Sequence, residues 1–305
     1  MFKQVHFEIS GVCNAKCPWC SNGGVHLKSH PSRFIPPVEF RAAINRLFDE
    51  SLINNKTVIR LFNYGEPILH PQLPELLKIL VQNDLGYIIS TNASKYIPLD
   101  KDLLNNLQHF MISMPGFSQK SYDRVHGFQF NEILNNIDRW TELVGSEKIL
   151  IKFHVYQFNL DEIEAASTYF KKRNVKFFPY FALIADYKMA HAYLTHTMPR
   201  DVLEKASRDL MLFYVDELIS SAPENFQCPE WHSKLTIDEY CNILTCCTLS
   251  KGNADYSIGS LFSLSGNEII QKKINQNTCK ECIRAGVAFW VHNLYLSDFI
   301  RRYEC

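Results

Sequence analysis

The sequence predicts an α/β fold, a partial (β/α)6 barrel followed by a small cysteine-rich C-terminal domain. Two observations carry this. Strand-like and helix-like segments alternate in six units between Val5 and Phe181, a pattern that builds a parallel sheet with outer helices. Beyond Phe181 the alternation stops, and seven of the ten cysteines lie from Cys228 onward. Six units are too few for a closed eight-unit barrel, so the barrel is open, with ligands expected at the carboxyl ends of its strands.

The elements follow in order. Val5, Phe7 and Ile9 alternate as a strand should, and a cysteine-rich loop over 11–20 leaves it directly. The helical stretch PVEFRAAINRLFDESL leads to the strand TVIRLF and a loop holding Gly65, Glu66 and Pro67. PQLPELLKILVQND reads as a helix before the strand GYIIS. After a loop around Asn92 and a short helix come the strand HFMISM and a helix over 131–144. The strand ILIKFHVY, the helix DEIEAASTYFKKR and the strand VKFFPYF complete the series. Residues 183–226 read as helical, most clearly PRDVLEKASRDLMLFYVDELIS, where Val202, Ala206, Leu210 and Phe213 recur at helical spacing. The expected division is 1–182 for the barrel, 183–226 for a helical connector and 227–305 for the C-terminal domain.

Composition bounds the function. At 46% hydrophobic and 21% charged residues the chain can build a substantial core. Lys+Arg and Asp+Glu are 32 each, so no basic excess points to nucleic acid or an anionic membrane as the main partner. The N-terminus carries no signal peptide, and no apolar run is long enough to span a bilayer. The expectation is a cytoplasmic protein whose cysteines serve metal or redox chemistry rather than disulfides. Patterns for dinucleotide, P-loop, zincin and hydrolase sites are absent. The glycosylation triplets at Asn55 and Asn92 lack an export signal, and His191 and His196 read as surface residues.

Cys13, Cys17 and Cys20 form a C-x3-C-x2-C motif on the loop after the first strand. Three thiolates on a short loop can hold three irons of a 4Fe-4S cluster and leave the fourth without a protein ligand. Structural zinc usually asks for four ligands in C-x2-C pairs.

With Trp19 before the third cysteine, this motif resembles the signature of radical S-adenosylmethionine (radical SAM) enzymes, and the resemblance covers nearly the whole chain. Gly65-Glu66-Pro67 is similar to the family's GGEP motif, with Tyr64 in place of the first glycine. Ser90-Thr91-Asn92 resembles its T-N-G segment, with Ala93 replacing glycine. Ser113-Met114-Pro115-Gly116 resembles its S-x-D-G segment, with Pro115 replacing aspartate. The resemblance implies a SAM-binding 4Fe-4S cluster on Cys13, Cys17 and Cys20. It also implies SAM contacts from Trp19, Gly65, Glu66, Pro67, Asn92 and Ser113, and an electron donor such as flavodoxin or ferredoxin. The implied reaction cleaves SAM and uses a 5′-deoxyadenosyl radical to take hydrogen from a substrate C–H bond.

Cys228, Cys246, Cys279 and Cys282 form a second set. Their surroundings resemble the SPASM/twitch extension of that family, Cys241 standing at the motif's glycine and Ile258-Gly259-Ser260-Leu261 at a later segment. This implies an auxiliary 4Fe-4S cluster, with Cys247 open as a replacement for Cys246. A zinc site held by the same thiols is also open. Cys241, Cys247 and Cys305 are then left over. By analogy with radical SAM epimerases, Cys247, or secondly Cys241, is a candidate hydrogen-atom donor.

The expected outcome is epimerisation or dehydrogenation. Because the chain starts almost at the first strand, a small polar metabolite (a sugar, aminocyclitol or aminoglycoside) is the expected substrate, with a peptide as the alternative. Residues 183–226 and the segment AFWVHNLYLSDFIRR are expected to cover the site. A non-catalytic iron-sulfur or zinc-stabilised binding protein is the reading from another class; Gly65-Glu66-Pro67 argues against it.

Overall fold

The structure, a computed structural model, describes residues 1–22, 32–249 and 256–293. Strands β1 (Gln4–Phe7), β2 (Val58–Arg60), β3 (Gly86–Thr91), β4 (Leu107–Met114), β5 (Ile149–Val155) and β6 (Lys176–Phe181) lie side by side in chain order. Every neighbouring pair among them is parallel. A parallel neighbour is reached only through a crossover. Here the crossovers carry α1 (Pro37–Asp49), α2 (Leu73–Gln82), the pair α3 (Gln119–Val125) and α4 (Phe130–Val144), and α5 (Ile163–Lys171). The crossover into β4 carries only the short 3₁₀ helix η2 (Lys101–Leu104). The α/β class with a parallel core is as the alternation predicts.

The period of each element sets its two faces. Along β5, Ile149, Ile151, Phe153 and Val155 are buried, while Lys152 and His154 alternate with them. α4 places Ile133, Ile137, Trp140 and Val144 on one stripe against the sheet. Trp140 meets Phe110 of β4 with ring centroids 4.4 Å apart. Burying each such side chain stabilises the fold by about 1.5–3 kcal/mol.

The sheet continues past β1. β7 (Lys234–Ile237) pairs with β1 in parallel on the side away from β2, and β8 (Asn242–Leu244) and β9 (Ser257–Ser260) add antiparallel strands. The order is β6-β5-β4-β3-β2-β1-β7-β8-β9, one sheet of nine strands. The turn from β7 to β8 is tied by the Asp238 carboxylate, which accepts the N–H groups of Tyr240 (2.9 Å) and Asn242 (2.7 Å).

The connector differs from the long helix that its periodicity suggests. It forms α6 (Tyr187–Leu194), α7 (Arg200–Asp209) and α8 (Leu212–Ser220). Leu210 (φ −100°, ψ 156°) and Met211 (φ −82°, ψ 55°) leave helical geometry, and Gln157 Nε2 takes the carbonyls of Ser207 (2.6 Å) and Leu210 (2.7 Å). The break turns Phe213 outward to 77% exposure, off the face that buries Ala206 and Leu210. α9 (Glu230–Ser233) leads into β7, and after β9 come α10 (Gly266–Ile274), α11 (Asn277–Arg284) and α12 (Val287–His292). The rest of AFWVHNLYLSDFIRR, and Cys305, lie outside the described residues. Trp19, Tyr187, Ala206, Leu210, Val287 and Trp290 share a second apolar core, which joins the cysteine loop, the connector and α12. No helix among the described residues is long and apolar enough to cross a membrane.

Candidate active site

The loop leaving β1 has a shape fixed by the protein around it. Asn22 Nδ2 donates to the carbonyls of Gly11 (3.2 Å) and Tyr64 (3.3 Å). Asn14 accepts from Asn92 Nδ2 (3.0 Å) and donates to Ser94 Oγ (2.9 Å). The carbonyl of Trp19 accepts the Ala185 N–H at 2.8 Å, and its indole donates to Asp209 at 3.3 Å. Asp209 also pairs with Arg124 at 2.8 Å, so α3, α7 and the loop are braced together. Cys13, Cys17 and Cys20 are half-buried on this loop. Burial, with the charges of its neighbours, pushes the Cys13 thiol up to about 12 and holds Cys17 well above its ordinary value. Three thiols packed so closely ionise together only when a cation binds them.

All three thiols open into a cavity of about 430 Å³. It lies at the carboxyl ends of the parallel strands, where ligands of open α/β sheets bind. One wall is the cysteine loop with Trp19, residues 63–66 and residues 90–92; Ser113, Lys152, His154 and Tyr180 come from β4, β5 and β6. His126, Tyr156 and Arg60 complete the polar lining. Of the sequence-derived SAM contacts, Trp19, Gly65, Glu66, Asn92 and Ser113 line the cavity. Pro67 does not; it opens the 3₁₀ helix η1 (Pro67–Leu69), which Glu66 caps.

The loop 63–66 is seated by Glu8 at the end of β1. Its buried carboxylate accepts the N–H groups of Asn63 (3.3 Å), Tyr64 (2.6 Å) and Gly65 (3.1 Å). Glu66 is 3% exposed and accepts the N–H of Asn92 (2.7 Å) and of Ile68 (3.1 Å). Burial raises it to about 7, and those bonds oppose the rise. Asn92 likewise uses its side chain on Asn14 and on the Ser94 N–H. Both side chains therefore hold the wall in place through bonds inside the protein. His126 and His154 are lowered to about 3 by burial, so both face the cavity as neutral imidazoles. His154 Nε2 bonds to the Tyr180 hydroxyl.

The second cysteine set also converges. Cys228, Cys246, Cys279 and Cys282 line one cavity together with Glu230, Trp231 and Lys273. Lys273, 2% exposed, donates to the Thr245 carbonyl at 2.8 Å, in the same cavity as the four thiols. Cys247 is not part of that lining. The coupling of the two adjacent thiols favours the Cys246 thiolate, lowering Cys246 and raising Cys247. Cys247 does not line the first cavity either, although its charge acts on Arg60 and Tyr64, which do. Cys241 lies in neither cavity: it is fully buried in the main core, in the left-handed backbone region at φ 61°. Such a backbone position is the kind that glycine adopts most easily.

Among the described residues no three His, Cys, Asp or Glu side chains converge on a single metal-ion position. The donor sets suit an iron-sulfur cluster, whose irons are each held by a separate thiolate. Sequence reasoning missed Glu8, Arg60, Lys152, His126, His154 and Tyr180. Only β5 signalled its share, through polar Lys152 and His154 alternating within an apolar strand.

No protein-family model matches the chain, and no curated protein does. Solved structures do resemble it. One is anSMEcpe with bound AdoMet, at 14% identity and a TM-score of 0.59, covering 98% of this chain and 99% of that one. A second is SuiB of Streptococcus suis bound to precursor peptide SuiA, at 15% identity and a TM-score of 0.58, covering 92% of this chain and 66% of that one. BtrN in complex with AdoMet and 2-DOIA is similar at 15% identity and a TM-score of 0.52, covering 95% of this chain and 91% of that one. These neighbours are radical SAM enzymes. At such identities the likeness is one of fold, and this chain has that fold.

Proposed function

We propose that this chain is a radical SAM oxidoreductase acting at a C–H bond of a small polar molecule, by epimerisation or dehydrogenation. The observation that carries the reading is one cavity at the strands' carboxyl ends, faced by Cys13, Cys17 and Cys20 and by residues 63–66 and 90–92. A cluster and SAM bound there would supply a 5′-deoxyadenosyl radical, the hydrogen-abstracting agent. The protein's part is positional. Glu8 and Glu66 fix the two backbone walls, Gly65 lets one of them approach β1, and Trp19 and the second core shield the thiols from water.

In this reading Cys228, Cys246, Cys279 and Cys282 hold an auxiliary 4Fe-4S cluster within a twitch-type region over 227–305. Cys247 is the hydrogen-atom donor in this reading: its charge acts on Arg60 and Tyr64, which line the reaction cavity, and Cys246, next to it in the chain, lines the auxiliary one. A flavodoxin or ferredoxin would deliver the reducing electron.

The test is anaerobic reconstitution followed by iron and sulfide counting and an assay for 5′-deoxyadenosine under dithionite. About eight irons per chain and release of 5′-deoxyadenosine are expected; a chain that never cleaves SAM overturns the reading. In deuterium oxide an epimerised product gains solvent deuterium through the thiol, whereas a dehydrogenated one does not. Cys247→Ser should keep SAM cleavage and lose epimerised product; full product formation by that variant removes its role.

A further inference from the structure

Two basic side chains, Arg60 and Lys152, line the reaction cavity. Arg60, on β2, reaches Gln4 Oε1 with Nη1 at 3.4 Å and lies 5.0 Å from the centre of the Phe62 ring. Its Nε is buried and has no hydrogen-bond partner, and it forms no ion pair among the described residues. Glu230, the nearest carboxylate to influence it, is engaged by Lys234. Lys152 enters the same cavity from β5, across β3 and β4, with Nζ 4.4 Å and 4.6 Å from the ring centres of Phe178 and Tyr180. Among the described residues, the one carboxylate in the lining is Glu66, whose oxygens accept the Asn92 and Ile68 amides. His126 and His154 are neutral.

A buried guanidinium with an unused donor is costly until an acceptor meets it. An ammonium-bearing ligand would add like charge and find no free carboxylate among the described residues of this lining. A carboxylate or phosphate would supply the missing acceptor in the planar, forked geometry that arginine favours. We propose that the substrate carries an oxyanion, received by Arg60 and Lys152. The neutral edges of Ser113, His126 and His154 then take its hydroxyl groups. This turns the substrate class away from aminocyclitols and aminoglycosides and toward sugar phosphates or sugar acids. It rests on the reading of this cavity as the active site.

The experiment is calorimetric titration of the anaerobically reconstituted, SAM-saturated protein with four probes of similar shape: glucose 6-phosphate, glucuronate, glucose and glucosamine. At least one oxyanion should bind about tenfold or more tightly than glucose, the gain expected of a charge-assisted hydrogen bond, with glucosamine weakest. The phosphate and carboxylate arms tell the two sources apart. Arg60→Gln should erase the preference while iron content and SAM affinity stay unchanged. Lys152→Gln carries the same expectation should the first variant fold poorly. Glucosamine binding as tightly as either oxyanion overturns the proposal. So does no oxyanion binding at millimolar concentration, a preference that survives both substitutions, or a loss of SAM affinity in the Arg60 variant. SAM cleavage by the wild-type protein without any probe tests the active-site reading separately, so the two can fail independently.

Discussion

The carbonyl oxygen of Ser10 lies 1.6 Å from where a β-carbon on Gly65 would stand. The loop carrying the second motif thus touches the exit of β1 backbone to backbone, and only glycine permits that contact. Gly65→Ala must push the loop off β1, at a cost of about 3 kcal/mol from overpacking. Urea denaturation should show that loss. Iron held by Cys13, Cys17 and Cys20 should fall with it, because Val12, beside Cys13, accepts the Glu66 N–H.

Glu8 is the second brace. Replacing it with Gln exchanges one acceptor oxygen for a donor facing the amides of Asn63, Tyr64 and Gly65. Hydrogen bonds to a charged group contribute about 1.5–3 kcal/mol, so Glu8→Gln should lose about 2 kcal/mol of stability. SAM affinity, measured by equilibrium binding to the reconstituted protein, should fall as well.

His126 sets a pH dependence. It is 2% exposed and its Nδ1 has no partner, so burial lowers its pKa to about 3, against about 6.5 in an unfolded chain. Between those values the unfolded state binds more protons, so stability is full above pH 6.5 and is lost as pH falls toward 3. By pH 5.5 the loss is about 1.4 kcal/mol. His126→Gln should flatten that part of the curve of unfolding free energy against pH; an unchanged slope would remove the assignment.

Cys246 and Cys247 are adjacent in sequence yet face different surroundings. If Cys228, Cys246, Cys279 and Cys282 hold the proposed auxiliary cluster, Cys246→Ser should cost up to about four irons per chain, while Cys247→Ser should retain the full iron content. Iron counting on the two variants side by side distinguishes them. Equal losses would place both at the cluster.

What could be read from the chain was what is local. Cys13, Cys17 and Cys20 share one loop, so their spacing carries their chemistry, and β5 announces itself by alternation. Arg60, Lys152 and His126 come from β2, β5 and the end of α3 and meet only through the folded sheet; none has a motif of its own. The break between α7 and α8 carries no proline or glycine. It arises from Gln157, distant in sequence, capturing the carbonyls of Ser207 and Leu210. Cys241 was misleading for a related reason. It stands at the glycine position of a turn, and its proximity in sequence to Cys246 says nothing of its burial in the opposite core.

β1 is hydrogen-bonded to β2 on one side and to β7 on the other. A ribosome has therefore to deliver residue 237 before the strand at the chain's beginning gains its last neighbour, long after the cysteine loop has emerged. Such distant pairing is slow to form and leaves an open strand edge while it waits. During that interval the three N-terminal thiols hang from a half-paired strand. Iron delivery to them is expected to follow completion of the chain, and fragments ending before β7 should emerge metal-poor and prone to aggregate.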